Sequence, residues 1–241
     1  MGLAPKIMMI ASSILLGVSV FAPTFAPTSA LTFVQDKPLP LPPLEEQNIS
    51  EDTSLKALGQ IQTYFDTVKS LAAKFYQRAP DGGVTSGNLS MARPGRIRFD
   101  YQGEVPFLVV ADGKTLSFVD YEIGQVTRWP VNDTPLRALL GGSTDLASIG
   151  ANIEIAPGGV AGLLALHATD VERPELGRIT VYFEETPDAD QQLRLLSWAV
   201  IDAQGQLTTV ELSDEQVNIE LAEKLWEFDD PRGLAKRRRP R

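Results

Sequence analysis

The side chains that commonly carry catalysis are few and scattered in this sequence. His167 is the single histidine, and it lies in an apolar run, where a histidine is more often a hydrogen-bonded core residue than a base. No serine lies in a Gly-x-Ser-x-Gly elbow, so a Ser-His-Asp site would depend on that one imidazole. The acidic clusters at 188–190 and 229–230 are typical of turns and surfaces. The sequence therefore predicts a binding protein rather than an enzyme.

Metal, phosphate and nucleic-acid sites are not indicated either. The chain has no cysteine, only one histidine and no calcium-loop spacing. The Gly-Gly-Val-Ala-Gly run at 158–162 lacks the strand–turn–helix setting of a phosphate-binding loop. A formal net charge of −9 argues against a phosphate backbone as partner. We expect no metal, no cofactor and no nucleic acid.

The first thirty residues have the layout of a cleavable secretory signal. Lys6 precedes an apolar run that is shorter than the ~20 residues a bilayer-spanning helix needs. The expected cut follows Ala30; a cut after Ala26 and an uncleaved membrane anchor are the alternatives. An exported chain without cysteine has no disulfides and cannot be lipidated at the cut, so we expect an exported protein held together by a large core.

The remaining chain divides into three segments. Residues 31–50 predict an extended linker, because four prolines fall within seven residues. Residues 51–233 carry the apolar patterns of one domain. Residues 234–241 form a tail with five of the 22 basic residues, which suits contact with anionic phospholipid or an acidic partner. The alternative for the tail is a solvated, frayed terminus.

The domain begins with a helical pattern and continues with strands. Apolar residues from Leu55 to Val68 recur at steps of three and four, which predicts an amphipathic helix. Many short alternating runs follow, joined by turn signals such as Asp112-Gly113, and they predict an antiparallel, mainly β fold. Two clear alternating runs are Ile179, Val181, Phe183 and Leu196, Trp198, Val200.

One segment, residues 132–152, interrupts the strands. Thr134 can cap a helix with Pro135 at its first position, and Gly141-Gly142 stops the helix after barely two turns. Helices this short need a surface to lie on, so we expect a small helical lid over an apolar sheet. Its leucines are Leu136, Leu139, Leu140 and, in a second short piece, Leu146.

Several motifs occur here in the order typical of the LolA-type outer-membrane lipoprotein carriers. They are SLAAKFYQ, GNLSMARPGRIRFDY, LVVADGKTLSFVDYEIGQVT and TPLRALL, and the ending WEFDDPRG resembles the family's Phe-x-Phe…Pro-x-Gly. The similarity covers roughly residues 54–233, although Ser117 stands where the family usually has an aromatic residue. The resemblance implies an incomplete, half-open antiparallel β-barrel whose concave face is covered by short helices.

The resemblance also implies a function. Carriers of this family take acylated lipoproteins from an inner-membrane ABC-type releasing complex and deliver them through the periplasm to an outer-membrane acceptor. Arg93 falls on the family's Arg-Pro motif, whose arginine hydrogen-bonds the lid in the closed state. We expect a monomer. The alternatives are a periplasmic carrier or sensor of the same fold with other lipid cargo, and a hydrolase whose carboxylate site the sequence does not identify.

An acyl-binding hollow needs an apolar lining, which we draw from the alternating strands. Each of these residues has an alternative role as ordinary core, and the alternation does not tell which face of the sheet is concave. The predicted lining residues are Phe99, Tyr101, Leu108, Val110, Leu116, Phe118 and Trp198.

Overall fold

An amphipathic helix opens the part of the chain that the structure describes. In the computed structural model, α1 spans Glu51–Thr67, with a buried stripe at the three- and four-residue spacing that the sequence predicts. Leu55 departs from the prediction, because it is 61% exposed and only the later turns of the helix rest on the sheet. The buried positions of the stripe, which continues one residue past the helix, are Ala57, Ile61, Tyr64, Phe65 and Val68.

The described residues are 51–103, 105–141, 152–155, 160–187 and 192–232. No helix within them is both long and apolar enough to pass through a bilayer. Four predicted features lie outside the described residues: the signal peptide (1–30), the linker (31–50), Leu146 with the second part of the lid, and the basic tail (234–241).

Within the described residues, eleven strands form one antiparallel sheet, as the alternating patterns predict. The strands are β1 Ser70–Arg78, β2 Val84–Ala92, β3 Arg96–Tyr101, β4 Phe107–Asp112, β5 Thr115–Asp120, β6 Gln125–Pro130, β7 Asn152–Ile155, β8 Leu163–Thr169, β9 Arg178–Glu185, β10 Leu193–Ile201 and β11 Leu207–Val217. Their order across the sheet is β6-β5-β4-β3-β2-β1-β11-β10-β9-β8-β7. The first and last strands therefore pair at the centre, while β6 and β7 are the two open edges.

Contacts across the sheet reveal how strongly it is bent. Phe99 in β3 and Trp198 in β10 are four strand steps apart, which is about 19 Å in a flat sheet. Their ring centroids nevertheless lie 6.2 Å apart. Register shifts in the β1–β11 and β9–β10 pairs add to the bending. The architecture is a half-open antiparallel β-barrel.

The concave side of the half-barrel, which we call the inner face, carries the core. Helix α1 lies on it, and its apolar residues pack with those of β8, β9 and β10. Tyr64, for example, contacts Phe183 with ring centroids 5.1 Å apart. The convex side, the outer face, is polar at its centre, where Lys74 pairs with Asn88 and both are exposed.

A bulge changes which residues of β10 face inwards. Strict alternation predicts Leu196, Trp198 and Val200 on one face, but the register shifts between Leu195 and Ser197. Leu195 and Trp198 are buried, whereas Leu196 is only half-buried. A two-residue period carries no signal of such an insertion, so the prediction for Leu196 is wrong.

Candidate functional site

The inner face brings together most of the residues that were predicted to line a hollow. Phe99 and Trp198 are buried there, and Tyr101 and Leu116 pack half-buried against the same cluster. Phe75 joins the aromatic rings edge to face: its centroid lies 5.2 Å from that of Phe99 and 5.3 Å from that of Tyr101, and Phe99 and Tyr101 stack on each other. The result is a continuous aromatic surface across the bend of the sheet.

Leu108 and Val110 do not lie on this surface, and their predicted place is wrong. Both are buried on the outer face with Val119. The β4–β5 hairpin explains the difference, because Ala111 pairs with Leu116 and odd residues of β4 therefore share a face with even residues of β5. Any hairpin loop with an even number of residues gives this relation, so Leu116 and Val110 cannot face the same way.

Phe107 and Val109 take the inner positions that the prediction gave to their neighbours. Val109 pairs with Phe118 and packs against the inner cluster, and the Phe107 ring lies 5.6 Å from that of Phe118. All three side chains are only half-buried. They leave apolar surface exposed toward the β6 edge of the half-barrel. The Asp112-Gly113 turn was the signal that could have found them.

The lid, residues 131–141, follows β6 directly. Its helix, α2, spans Arg137–Leu140 and starts later than a cap at Thr134 would place it. The Thr134 hydroxyl instead donates to the Val131 carbonyl at 2.8 Å. Three predicted leucines of the lid pack on the inner cluster: Leu136, Leu139 and Leu140.

Arg93 connects the lid to α1. Its Nη1 donates to the carbonyl of Val68 at 2.6 Å and its Nη2 to that of Leu139 at 3.2 Å. The guanidinium also lies 4.6 Å from the centroid of the Phe65 ring, a cation–π arrangement. One side chain thus holds the end of α1 and the end of the lid helix at the same time.

A backbone donor next to Arg93 holds the adjacent lid carbonyl. Gly95 donates its N–H to the Leu140 carbonyl at 3.0 Å. A cleft of about 190 Å³ lies beside this contact, and a space of about 20 Å³ lies under the first half of the lid. The smaller space has room for about one water molecule. The lid lies directly on the inner cluster in this structure.

A half-buried carboxyl group lies near helix α1. Tyr64 donates its hydroxyl to Oε1 of Glu215 at 3.4 Å. Burial raises the pKa of Glu215 to about 7, although Arg194 and Tyr64 favour its charged form. Among the described atoms, Oε2 of Glu215 and Nε of Arg93 are buried without a hydrogen-bond partner. Burial therefore moves the change of charge of the Glu215 carboxyl toward neutral pH.

The outer face has a cover of its own, which the sequence did not predict. Residues 219–232, the C-terminal strap, cross β3 and β4 there. Arg98 donates from Nη1 to the carbonyls of Leu225 (2.9 Å) and Glu227 (3.0 Å). Phe228 packs on the buried outer cluster. The strap explains why apolar residues occur on both faces of β4.

His167 lies on the outer face of β8. Its side chain is 39% exposed, and its ring nitrogens lie 3.0 Å from Thr180 Oγ1 and 3.1 Å from Glu154 Oε2. Its prediction as a hydrogen-bonded residue is confirmed, and its prediction as a core residue is wrong. The described residues contain no group of three or more side chains suited to a metal ion.

Comparisons with known proteins agree with the motifs. Residues 66–229 match the family described as outer membrane lipoprotein carrier protein LolA. An outer-membrane lipoprotein carrier protein of Legionella pneumophila (strain Lens) is 27% identical over 188 residues, which cover 72% of this chain and 86% of the relative. One from Chromobacterium violaceum is 28% identical over 187 residues, covering 74% and 85%.

Two solved structures are similar in outline. A LolA superfamily protein from Nitrosomonas europaea has a TM-score of 0.42 at 10% identity, covering 73% of this chain and 97% of that one. A putative outer membrane lipoprotein-sorting protein domain from Vibrio parahaemolyticus has a TM-score of 0.46 at 12% identity, covering 72% and 96%. Because the family pattern spans well over half of its residues, this chain belongs to the LolA family of outer membrane lipoprotein carrier proteins.

Proposed function

We propose that this protein is a periplasmic carrier that shelters the acyl chains of lipoproteins on its inner face and delivers them to the outer membrane. One observation carries the proposal: the concave face of an open sheet is apolar and aromatic, and a short lid covers part of it. Family membership supports it independently. Export would depend on cleavage of residues 1–30.

The energetics of a lipid anchor support a covered apolar surface. Each exposed CH₂ costs about 0.8 kcal/mol, so an anchor of two or three acyl chains would expose on the order of 25–35 kcal/mol of unfavourable surface to water. The half-buried side chains near the β6 edge offer a place where a chain can start to bind. They are Phe107, Val109, Leu116 and Phe118.

Arg93 acts in this proposal as the latch of the lid. The two spaces described beside the lid, of about 190 Å³ and 20 Å³, are smaller than an acyl chain requires, so in this proposal the lid moves when cargo enters. Movement breaks the bonds from Arg93 to Leu139 and from Gly95 to Leu140. A hydrogen bond from a charged group contributes about 1.5–3 kcal/mol and one between neutral groups about 1 kcal/mol, which closes the empty lid without locking it.

Loading and delivery require partners. An inner-membrane ABC-type complex would supply the energy of release, and an outer-membrane acceptor with higher affinity would take the cargo. The carrier itself would work as a monomer, without a metal or cofactor.

Native mass spectrometry of the protein purified from periplasm tests the proposal. We expect a complex of this chain with an acylated protein. The intact mass of the carrier should correspond to a chain that begins at Leu31. Free lipid as the only bound species would favour the alternative, a carrier or sensor for other lipids. Carrier without any lipid-modified species, from cells that export lipoproteins, would contradict the proposal.

A further inference from the structure

The first half of the lid is held by charged residues on the opposite side of the half-barrel. Arg137 in the lid helix lies 3.2 Å from Asp170, which follows β8. Arg173, in the same β8–β9 loop, forms an ion pair with Asp133 of the lid. Its Nη2 also donates to the carbonyl of Asn132 at 2.9 Å. Two arginines and two aspartates thus join the lid to this loop.

Asp170 is the centre of this cluster. Its Oδ1 accepts the backbone N–H groups of Glu172 and Arg173, both at 3.1 Å, which fixes the loop. Its Oδ2 lies 3.1 Å from Nη2 of Arg173, and the side chain is only 12% exposed. Partial burial alone would raise the pKa of Asp170, but Arg137 and Arg173 outweigh burial and lower it. The carboxylate therefore stays charged between its two arginines.

The cluster connects segments that leave opposite edges of the sheet. The lid leaves β6, which is one edge of the sheet, and the loop follows β8, which is next to the other edge. The contacts of Asp133 and Arg137 therefore span the open side of the half-barrel. Arg93 and Gly95, by contrast, hold the far end of the lid to the β2–β3 turn.

We propose that Arg173 and Asp170 are positioning residues that fasten the lid across the open side of the half-barrel, and that they must release it before the interior opens. The role in cargo loading rests on the proposed carrier function; the fastening itself does not. Arg173 and Asp133 are 35% and 40% exposed, so dissolved salt screens this fastening. The Arg93 contacts lie in the interior and respond less to salt.

Hydrogen exchange of the full chain, followed by mass spectrometry on peptides covering 131–141, tests the proposal. We expect Arg173→Gln to speed exchange in the lid about 5- to 20-fold while the β1 and β2 peptides stay unchanged. Arg173→Lys keeps the charge but not the forked geometry, so it should recover part of the protection. Raising the salt concentration should speed lid exchange in the unmodified chain. The effect should be smaller in Arg173→Gln, where only the less exposed pair of Arg137 with Asp170 remains.

Two controls make the result specific. Lys74→Gln removes an exposed ion pair with Asp214 on the outer face and should leave lid exchange and its salt dependence unchanged. The double variant Asp133→Asn with Arg173→Gln should exchange no faster than Arg173→Gln, because both changes break one interaction. Unchanged lid exchange in Arg173→Gln would overturn the proposal. Faster lid exchange in the double variant than in Arg173→Gln would overturn it as well.

A binding measurement separates this inference from the carrier function. The neutral apolar dye N-phenyl-1-naphthylamine should enter Arg173→Gln faster than the unmodified chain. A faster-exchanging lid in a protein that never binds the dye would keep the fastening and count against the acyl-binding interior. Dye binding at equal rates, with equal lid exchange, would keep the interior and refute the fastening.

Discussion

At the scale of single residues, the lid depends on a few donors that reach backbone carbonyls. Arg93 suits this task because its guanidinium can serve Val68 and Leu139 at once, and a lysine could not hold both in a fixed plane. Its aromatic neighbour Phe65 compensates in part for burying the charge. The same residue therefore joins the lid to the end of α1.

Replacing this arginine gives the first prediction. Arg93→Leu should fold, because leucine fits among apolar neighbours, but it should lose about 1.5–3 kcal/mol of lid closure and release cargo at an altered rate. The measurement is transfer of an acylated lipoprotein from the carrier to outer-membrane vesicles. Arg96→Leu, on the outer face, is the matched control. Normal transfer by Arg93→Leu would rule out the latch.

Glu215 gives a prediction about pH. Its pKa of about 7 in the folded chain exceeds the ordinary value of 4.5, so the folded state binds the proton more tightly than the unfolded state. Stability from this group is fully present below pH 4.5 and is lost as pH rises through 7, by roughly 3 kcal/mol. Urea unfolding at pH 5 and pH 8 should show this loss, and Glu215→Gln should reduce it. An equal loss of unfolding free energy between pH 5 and pH 8 in both proteins would contradict the assignment.

At the scale of elements, the two faces of β4 make a sharp comparison. Val109→Thr changes the inner face and should weaken binding of an apolar dye severalfold, with little effect on stability because Val109 is half-buried. Val110→Thr places a hydroxyl in the buried outer cluster, so it should lower the free energy of unfolding by about 1–3 kcal/mol and leave dye affinity unchanged. Dye titrations and urea curves measure both. The opposite pattern would mean that Val110 faces the interior and Val109 the outer cluster.

The C-terminal strap supports another prediction at this scale. Arg98→Gln removes the charged donor to two strap carbonyls, so the strap should detach more often. Limited trypsin digestion should then cut after Lys224 faster than in the unmodified chain. Equal cutting rates would show that Phe228 holds the strap without Arg98.

The elements that depend on neighbouring residues in the sequence were predictable, and those that depend on distant contacts were not. Helix α1, the hairpins and the lid follow from local spacing and turn residues, and the sequence predicts them. The prediction of which residues face inwards is wrong in β4 and β10, because the length of a hairpin loop and a bulge decide which side chains point to the inner face there. The cluster of Asp133, Asp170 and Arg173 was not predictable, since only the closed sheet brings these loop residues together.

At the scale of the whole molecule, one sheet contains strands from both halves of the described chain. The N-terminal and C-terminal strands meet in the β1–β11 pair, so neither half can keep its core alone. Trp129 in β6 and Trp198 in β10 lie in different halves. Urea unfolding followed by either tryptophan, with the other two replaced by phenylalanine, should give coincident transitions. Separate midpoints would indicate two independent halves.

The lid helix consists of the four residues Arg137–Leu140. So short a helix is not stable in water, and it keeps its shape only where the sheet beneath supports it. Once its bonds to the β2–β3 turn and to the β8–β9 loop break, we expect this segment to unfold rather than to move as a rigid body. Opening therefore gains backbone entropy, so warming alone should widen access to the hollow well below the temperature at which the sheet melts.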